Sequence, residues 1–394
     1  MSAPRRRGRR AALVILDGVG IGAAHDAEAY GDSGSHTLGN TARAVGGLDL
    51  PQLESLGLGT LDHLEGMRAD VSPVGARTTL QPASAGKDST TGHWELCGVV
   101  LDRPFPTYPR GFPPAVIAAF ERATGRPVIG NEVASGTEII DRLGDEQARS
   151  GGWIVYTSAD SVFQVAAHEA VVPLVELYRA CETARALLVA PHNVSRVIAR
   201  PFTGVSGGYE RTTNRRDFSL PPTGETLLDA LEQAGIARTG IGKVDDLFAG
   251  RGIASHHTTG NAEGIGRIGE WIAGDESGFL FANLVDFDQL YGHRNDVAGF
   301  YGSLRQFDRA LPSLLSALSE DDLLFISADH GNDPTTPSTD HARERVPLLI
   351  AGPSVGPVRL PERSTFADVG ATLAEWFGLG FRGRGTSFLP EIVA

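Results

Sequence analysis

The 394-residue chain holds two cysteines, Cys97 and Cys181, too few for a disulfide framework. It has no apolar stretch near the roughly 20 residues that span a bilayer, so no membrane partner is expected. Positive charge is also scarce. Lys and Arg number 35 against 48 Asp and Glu, and the resulting net charge of −13 argues against general nucleic-acid binding. The N-terminus lacks the pattern of a signal peptide, because Arg5, Arg6, Arg7, Arg9 and Arg10 precede only a short apolar run. A cytoplasmic location is the expectation, with residues 1–11 as a disordered tail. The oligomeric state is left open, and a monomer is compatible with the sequence.

What the chain does have is a set of apolar runs that stop at acids or histidines. They are Leu13-Val14-Ile15-Leu16-Asp17, Leu284-Val285-Asp286-Phe287-Asp288 followed by His293, Leu324-Phe325-Ile326-Ser327-Ala328-Asp329-His330, and the pair Asp340-His341. A β-branched and apolar run ending in a carboxylate reads as a buried strand that delivers a polar group to its C-terminal end, where open α/β sheets build their sites.

Strands are expected at 236–241, 278–288, 323–327 and 346–351, alternating with helices at 225–234 and 297–317. This alternation predicts an α/β core with a mostly parallel sheet flanked by helices. The texture changes near Asp102, where Arg103 to Pro114 is too proline-dense for a regular element. A block with its own strands, at 153–157 and 196–200, and a helix at 172–189 follows. The expected organisation is a discontinuous core, residues 1–102 and 222–394, with a smaller α+β cap inserted at 103–221.

Asp17, Asp288, His293, Asp329, His330 and His341 offer oxygen and nitrogen donors without thiolate, which favours Mn²⁺ or Zn²⁺, and six ligands suit two ions. Taken singly, a strand-end Asp is more often a cap or turn residue. A dinuclear site of this kind suits phosphoryl transfer. The segment Gly86-Lys87-Asp88-Ser89-Thr90-Thr91-Gly92-His93 places three hydroxyls in a glycine-flanked turn, ahead of a helix expected to begin around Trp94; N-capping by Asp88 or Ser89 is the plainer reading. Asp286 lies two residues before Asp288, and spacing alone does not separate them as ligands. His256-His257 reads as a solvated loop pair.

The stretches around Asp17-Gly18-Val19-Gly20, GKDSTTGHWE (86–95), SADSVFQ (158–164), RTTNRRD (211–217), DFDQLYGHRND (286–296) and SADHGND (327–333) closely resemble the phosphopentomutase family of the alkaline phosphatase superfamily. The resemblance implies an alkaline-phosphatase-like core and interconversion of ribose 1-phosphate with ribose 5-phosphate, and of the deoxyribose pair. It also implies a covalent phosphoenzyme, a bisphosphate intermediate and two Mn²⁺, with glucose 1,6-bisphosphate or a similar donor as primer. By motif, Asp17, Asp329 and His330 correspond to one metal's ligands, and Asp288, His293 and His341 to the other's. Superfamily spacing to His293 favours Asp288 over Asp286. The nucleophile position is Ser89, where Thr is commoner in the family, so Thr90 stays an alternative. Asp160 would hydrogen-bond the ribose, Lys87 would support the phosphorylated serine, and Arg196, Arg211 and Arg215 would hold the distal phosphate.

Two rival readings stand beside this one. A metal-dependent phosphomonoesterase of the same superfamily would share the metal motifs, and a non-catalytic sugar-phosphate binder would share the fold. A sulfatase is excluded, since neither cysteine lies in a Cys-x-Pro-x-Arg setting.

Overall fold

The computed structural model describes residues 8–158 and 160–393. Along the chain the strands are β1 (Arg10–Leu16) and β2 (Ala76–Leu80), then β3 (Val128–Val133), β4 (Trp153–Thr157), β5 (Val162–His168), β6 (Arg196–Thr203), β7 (Glu210–Arg211) and β8 (Arg216–Ser219). They continue as β9 (Arg238–Ile241), β10 (Ser255–His256), β11 (Gly278–Leu284), β12 (Asp322–Ser327) and β13 (Val346–Ala351). The described residues form two compact units, one of residues 8–103 with 222–393 and one of residues 104–158 with 160–221.

The first unit is built on a seven-stranded sheet of order β10-β9-β11-β1-β12-β13-β2. Its centre is parallel, while β13 and β2 run antiparallel to their neighbours at one edge. Every residue of β1, β11 and β12 is buried, which explains their near-continuous apolar sequences. A fully buried large aliphatic or Phe side chain contributes roughly 1.5–3 kcal/mol, so these three strands carry much of the core. Register aligns Ile15 with Asn283 and with Ser327, so the C-terminal ends of all three strands finish side by side.

The tail expected over residues 1–11 does not include Arg10 and Ala11. Met1 to Arg7 lie outside the described residues, but β1 already begins at Arg10, which is buried. Its guanidinium donates to both carboxylate oxygens of Asp322 at 2.7 and 2.6 Å and to the Ile272 carbonyl at 2.9 Å, so a charge that reads as solvated is paired with the residue beside it on β12.

The second expected strand also ends early. β11 stops at Leu284, and the chain turns into a π-helical stretch, Phe287–Tyr291. Asp286 and Asp288 therefore share no strand face.

The second unit has a sheet of order β3-β4-β5-β6-β7, with β8 paired to β6. One face packs Trp153, Val155, Phe163, Val165, Val197 and Ala199 against the helices Pro114–Thr124 and Leu174–Leu187. The other packs Ile154, Tyr156, Ala166 and Phe202 beneath the helix Gly136–Ser150. Residues 104–113 form no regular element, as their prolines predict. Among the described residues no helix is long and apolar enough to cross a membrane.

Candidate active site

The aligned ends of β1, β11 and β12 release three acids within reach of one another. Asp17, Asp329 and His330 are buried, and each offers a ligand atom within 4.8 Å of the others; Asp288, His293 and His341 form a second such group. His330 Nε2 lies 3.3 Å from Asp17 Oδ1 and 3.5 Å from Asp329 Oδ2. His293 Nε2 is 3.1 Å from Asp288 Oδ2, and His341 Nε2 is 3.6 Å from Asp288 Oδ1. The groups adjoin, since the His341 ring lies 4.3 Å from that of His330 and 4.7 Å from that of His293. Backbone carbonyls aim two of these imidazoles. His330 Nδ1 meets the Gly331 carbonyl at 3.0 Å and His293 Nδ1 the Thr339 carbonyl at 2.6 Å, which leaves each Nε2 facing the acids.

Each acid is also held by one oxygen. Asn283 Nδ2 donates to Asp17 Oδ2 at 2.9 Å, Gly18 N to Asp329 Oδ1 at 3.2 Å, and Asn332 Nδ2 to Asp288 Oδ1 at 2.7 Å. Asp17 Oδ1 and Asp329 Oδ2 are buried and accept no well-aligned hydrogen bond, facing only the imidazole nitrogens of His330 at 3.3 Å and His93 at 3.0 Å. An unsatisfied buried carboxylate oxygen costs on the order of 1–3 kcal/mol or more, and a divalent cation removes that cost. The donors are hard oxygens and imidazoles, so the residues fit divalent metal ions.

The electrostatics of the bare groups show the same strain. Burial, with repulsion from Asp329 and Asp288, pushes Asp17 up to about 6. Burial would also raise Asp329 and Asp288, but the neighbouring imidazoles outweigh it and hold both below the usual carboxylate range. Burial opposes protonation of His293, yet Asp288 lifts it to about 9. His341 is lowered by burial and by His330.

The hydroxyl-rich segment meets the first group. The helix Ser89–Leu96 starts at Ser89, earlier than the tryptophan suggests, with Asp88 as its N-cap. Asp88 accepts from Thr91 N at 3.1 Å and Thr91 Oγ1 at 2.6 Å, so Thr91's hydroxyl is occupied. Thr90 is buried, and Ser89 Oγ lies 3.1 Å from His330 Nε2. Gly92 lets the helix touch the Asp329 loop, since a Cβ there would stand 2.1 Å from the Asp329 carbonyl oxygen. His93 follows with Nδ1 2.9 Å from the Ser89 carbonyl and 3.0 Å from Asp329 Oδ2.

Other sequence candidates fall elsewhere. Asp286 pairs with Asn261, accepting from its amide at 2.6 Å, and takes no place in either group. Lys87 Nζ sits 3.1 Å from Asp32 and 3.3 Å from Asp340, tying loops together. His257 does have an acid beside it, Asp245 at 2.8 Å. Asn283, Asn332 and His93 were not singled out from the sequence. Their only signal is placement two to five residues from a candidate ligand or nucleophile.

In the second unit, strand pairing puts Tyr156, Gln164, Ile198 and Asp217 on one face, and alternation adds Arg196 and Arg200. Arg215 grips Asp217 through two bonds of 2.7 Å, and Arg196 lies 3.6 Å from it. Burial opposes the ionisation of Asp217, but these arginines hold its carboxyl below the usual range. Arg200, absent from the sequence candidates, donates Nε to Gln164 Oε1 at 3.0 Å. Arg211 and Asp160 are exposed, and Ala159 of the SADSVFQ stretch lies outside the described residues.

Residues 9–380 match a family model described as the Metalloenzyme superfamily. The phosphopentomutase of Carboxydothermus hydrogenoformans is 55% identical over 386 residues, covering 98% of this chain and 99% of that protein. The phosphopentomutase of Dictyoglomus thermophilum is likewise 55% identical, over 98% of each chain, and that of Acetivibrio thermocellus is 53% identical over 98% of this chain and 100% of its own. Likeness of this depth over the whole length agrees with the resemblance carried by the motifs: the chain belongs to the phosphopentomutase family of the Metalloenzyme superfamily.

Proposed function

We propose that the protein is an isomerase that interconverts ribose 1-phosphate and ribose 5-phosphate, and the 2-deoxyribose pair, by phosphoryl transfer through Ser89. The reading is carried by full-length similarity to phosphopentomutases, together with a hydroxyl, Ser89 Oγ, 3.1 Å from His330 in a buried acid–histidine group. Asp17, Asp329 and His330 would hold one Mn²⁺ and Asp288, His293 and His341 the other, with Zn²⁺ as the alternative ion. Bound there, the ions would neutralise the oxygens of the transferring phosphoryl group.

The working enzyme carries phosphate on Ser89, placed there by a bisphosphate primer such as glucose 1,6-bisphosphate. The substrate's free hydroxyl attacks that phosphorus; its O–P bond forms as the Ser89 Oγ–P bond breaks, and the hydroxyl proton is exchanged for one on Ser89. The resulting bisphosphate returns its other phosphate to Ser89, which reverses the proton transfer, so each turnover is balanced. In this reading the second unit would act as the cap that excludes water, Arg196, Arg211 and Arg215 would hold the distal phosphate, and Asp160 would hydrogen-bond the ribose. Lys87 supports the phosphoserine by positioning its loop. In the same reading the enzyme is cytoplasmic and its partners are small sugar phosphates rather than nucleic acid or membrane.

The test is incubation with ribose 1-phosphate, primer and Mn²⁺. Ribose 5-phosphate as the main product is the expected result; free phosphate as the main product would make the protein a phosphomonoesterase instead.

A further inference from the structure

Arg343 lies two residues beyond His341 and is 3% exposed. A guanidinium carries five N–H donors in one plane, and at this depth each needs an acceptor. All five have one. Nε and Nη2 bind the two carboxylate oxygens of Asp26 at 2.9 Å each, Nη2 also reaches the Pro82 carbonyl at 2.9 Å, and Nη1 serves the carbonyls of Ser84 at 2.6 Å and of Gly86.

The same loop is gripped from its amide side by a group of opposite charge. Glu95, buried in the helix that starts at Ser89, accepts from Ala83 N at 2.8 Å and Ser84 N at 2.7 Å. A cation therefore takes the loop's carbonyls and an anion its amides. Glu95 locks the loop to the Ser89 helix itself, whereas Arg343 locks it to the segment that carries His341. Arg343's own amide adds a third hold, donating to Asp32 at 2.8 Å while Asp32 takes Lys87. No element of regular structure stiffens residues 82–88, so these contacts, with the Ala85 amide on the Leu101 carbonyl at 2.8 Å, set where the loop hands over to Ser89.

We propose that Arg343 is a positioning residue for phosphoryl transfer, fixing Ser89 against the acid–histidine groups by tying the carbonyls of Pro82, Ser84 and Gly86 to the His341 segment. The proposal rests on the reading of Ser89 as the nucleophile. A displacement near 1 Å costs on the order of 100-fold in rate, and a lysine, whose donors radiate from one point, cannot replace the planar fork.

The experiment compares wild type, Arg343→Lys and Asp26→Asn. It follows phosphate incorporation into Ser89 from glucose 1,6-bisphosphate by rapid quench and mass spectrometry, kcat and KM with ribose 1-phosphate, and Mn²⁺ binding by calorimetry. In Arg343→Lys, Ser89 phosphorylation and kcat should fall together by about 100-fold, while KM and the Mn²⁺ Kd move by less than about 3-fold. Asp26→Asn removes only the anchor of the guanidinium and should show about a tenfold loss of the same kind; it decides the matter if the lysine variant does not fold. An unchanged phosphorylation rate in either folded variant, or a loss of Mn²⁺ affinity as large as the loss of rate, overturns the proposal. A wild type that phosphorylates Ser89 but makes no ribose 5-phosphate refutes the mutase reading alone, because Arg343 is still judged on the phosphorylation rate. Wild type labelled anywhere other than Ser89 refutes both.

Discussion

Asn283 and Asp17 stand at the ends of adjacent parallel strands, with Asn283 Nδ2 donating to Asp17 Oδ2 at 2.9 Å and Asp17 Oδ1 left to face His330 at 3.3 Å. The amide selects which oxygen a cation would meet. Asn283→Leu should therefore weaken Mn²⁺ binding by about 10–100-fold, as loss of a partner to a ligand typically does, with the fold retained by circular dichroism. Calorimetry measures the affinity, and an unchanged Kd would show that Asp17 keeps its orientation without the asparagine.

Acidification should weaken metal binding through the same carboxylate. Its pKa in the bare protein is raised to about 6, so above that pH Asp17 is ionised and ready, while below it a cation must displace a proton. Because His293, lifted to about 9, must also give up its proton, affinity should already fall by up to about tenfold per pH unit below 9 and more steeply below 6, where Asp17 adds a second proton. The raised value also means that Asp17 favours the metal-free fold most at low pH and loses that contribution as pH rises through about 6. Calorimetry across this range in a non-chelating buffer checks where the fall steepens; a steepening only near 4 would assign it to another group.

Removing the hydroxyl that faces His330 should separate binding from chemistry. Ser89→Ala should retain Mn²⁺ affinity within about 3-fold yet lose turnover and covalent ³²P labelling. Persistent labelling would move the nucleophile to Thr90.

Gly92 leaves no space for a methyl group, with a Cβ 2.1 Å from the Asp329 carbonyl oxygen. Gly92→Ala should push the Ser89 helix away from the Asp329 loop, costing about 1–3 kcal/mol in denaturant unfolding and slowing phosphorylation of Ser89. A variant with both properties intact would show that the two segments can part freely.

Arg10→Met should destabilise the protein by about 3–5 kcal/mol, because Asp322 would be left buried without its cation. Burial opposes ionisation of Asp322, but Arg10 and Ser319 hold its carboxyl below the usual range. Its contribution is therefore present above the ordinary carboxylate range and lost as pH falls through the lower folded value. The gap between wild type and variant in urea unfolding should accordingly narrow in acid.

The sequence makes the strand-end acids legible because apolar runs and their terminal carboxylates are local patterns, and the parallel core follows from strand–helix alternation. What it hides is set by contacts between distant residues. Asp286 and Asp288 become distinguishable only once the chain leaves the strand at Leu284 and turns Asp286 toward Asn261. Arg10 reads as part of a charged tail until Asp322, 312 residues later, is found beside it on β12. Lys87 reads as a free cation for phosphate until Asp32 and Asp340 close on it. The start of the Ser89 helix was masked by its polar first turn, where the cap is a side chain and the apolar period begins late.

The side-by-side endings of β11, β1 and β12 bear on how the protein matures. Asp17 leaves the ribosome first, yet every partner within its acid–histidine group is supplied by Asp329 and His330, more than 300 positions later. Until β12 has docked against β1, the N-terminal acid lacks the acid and imidazole that complete its own group. Metal loading is thus a late event that follows long-range strand pairing, and a chain truncated before β12 would hold Asp17 without a site around it.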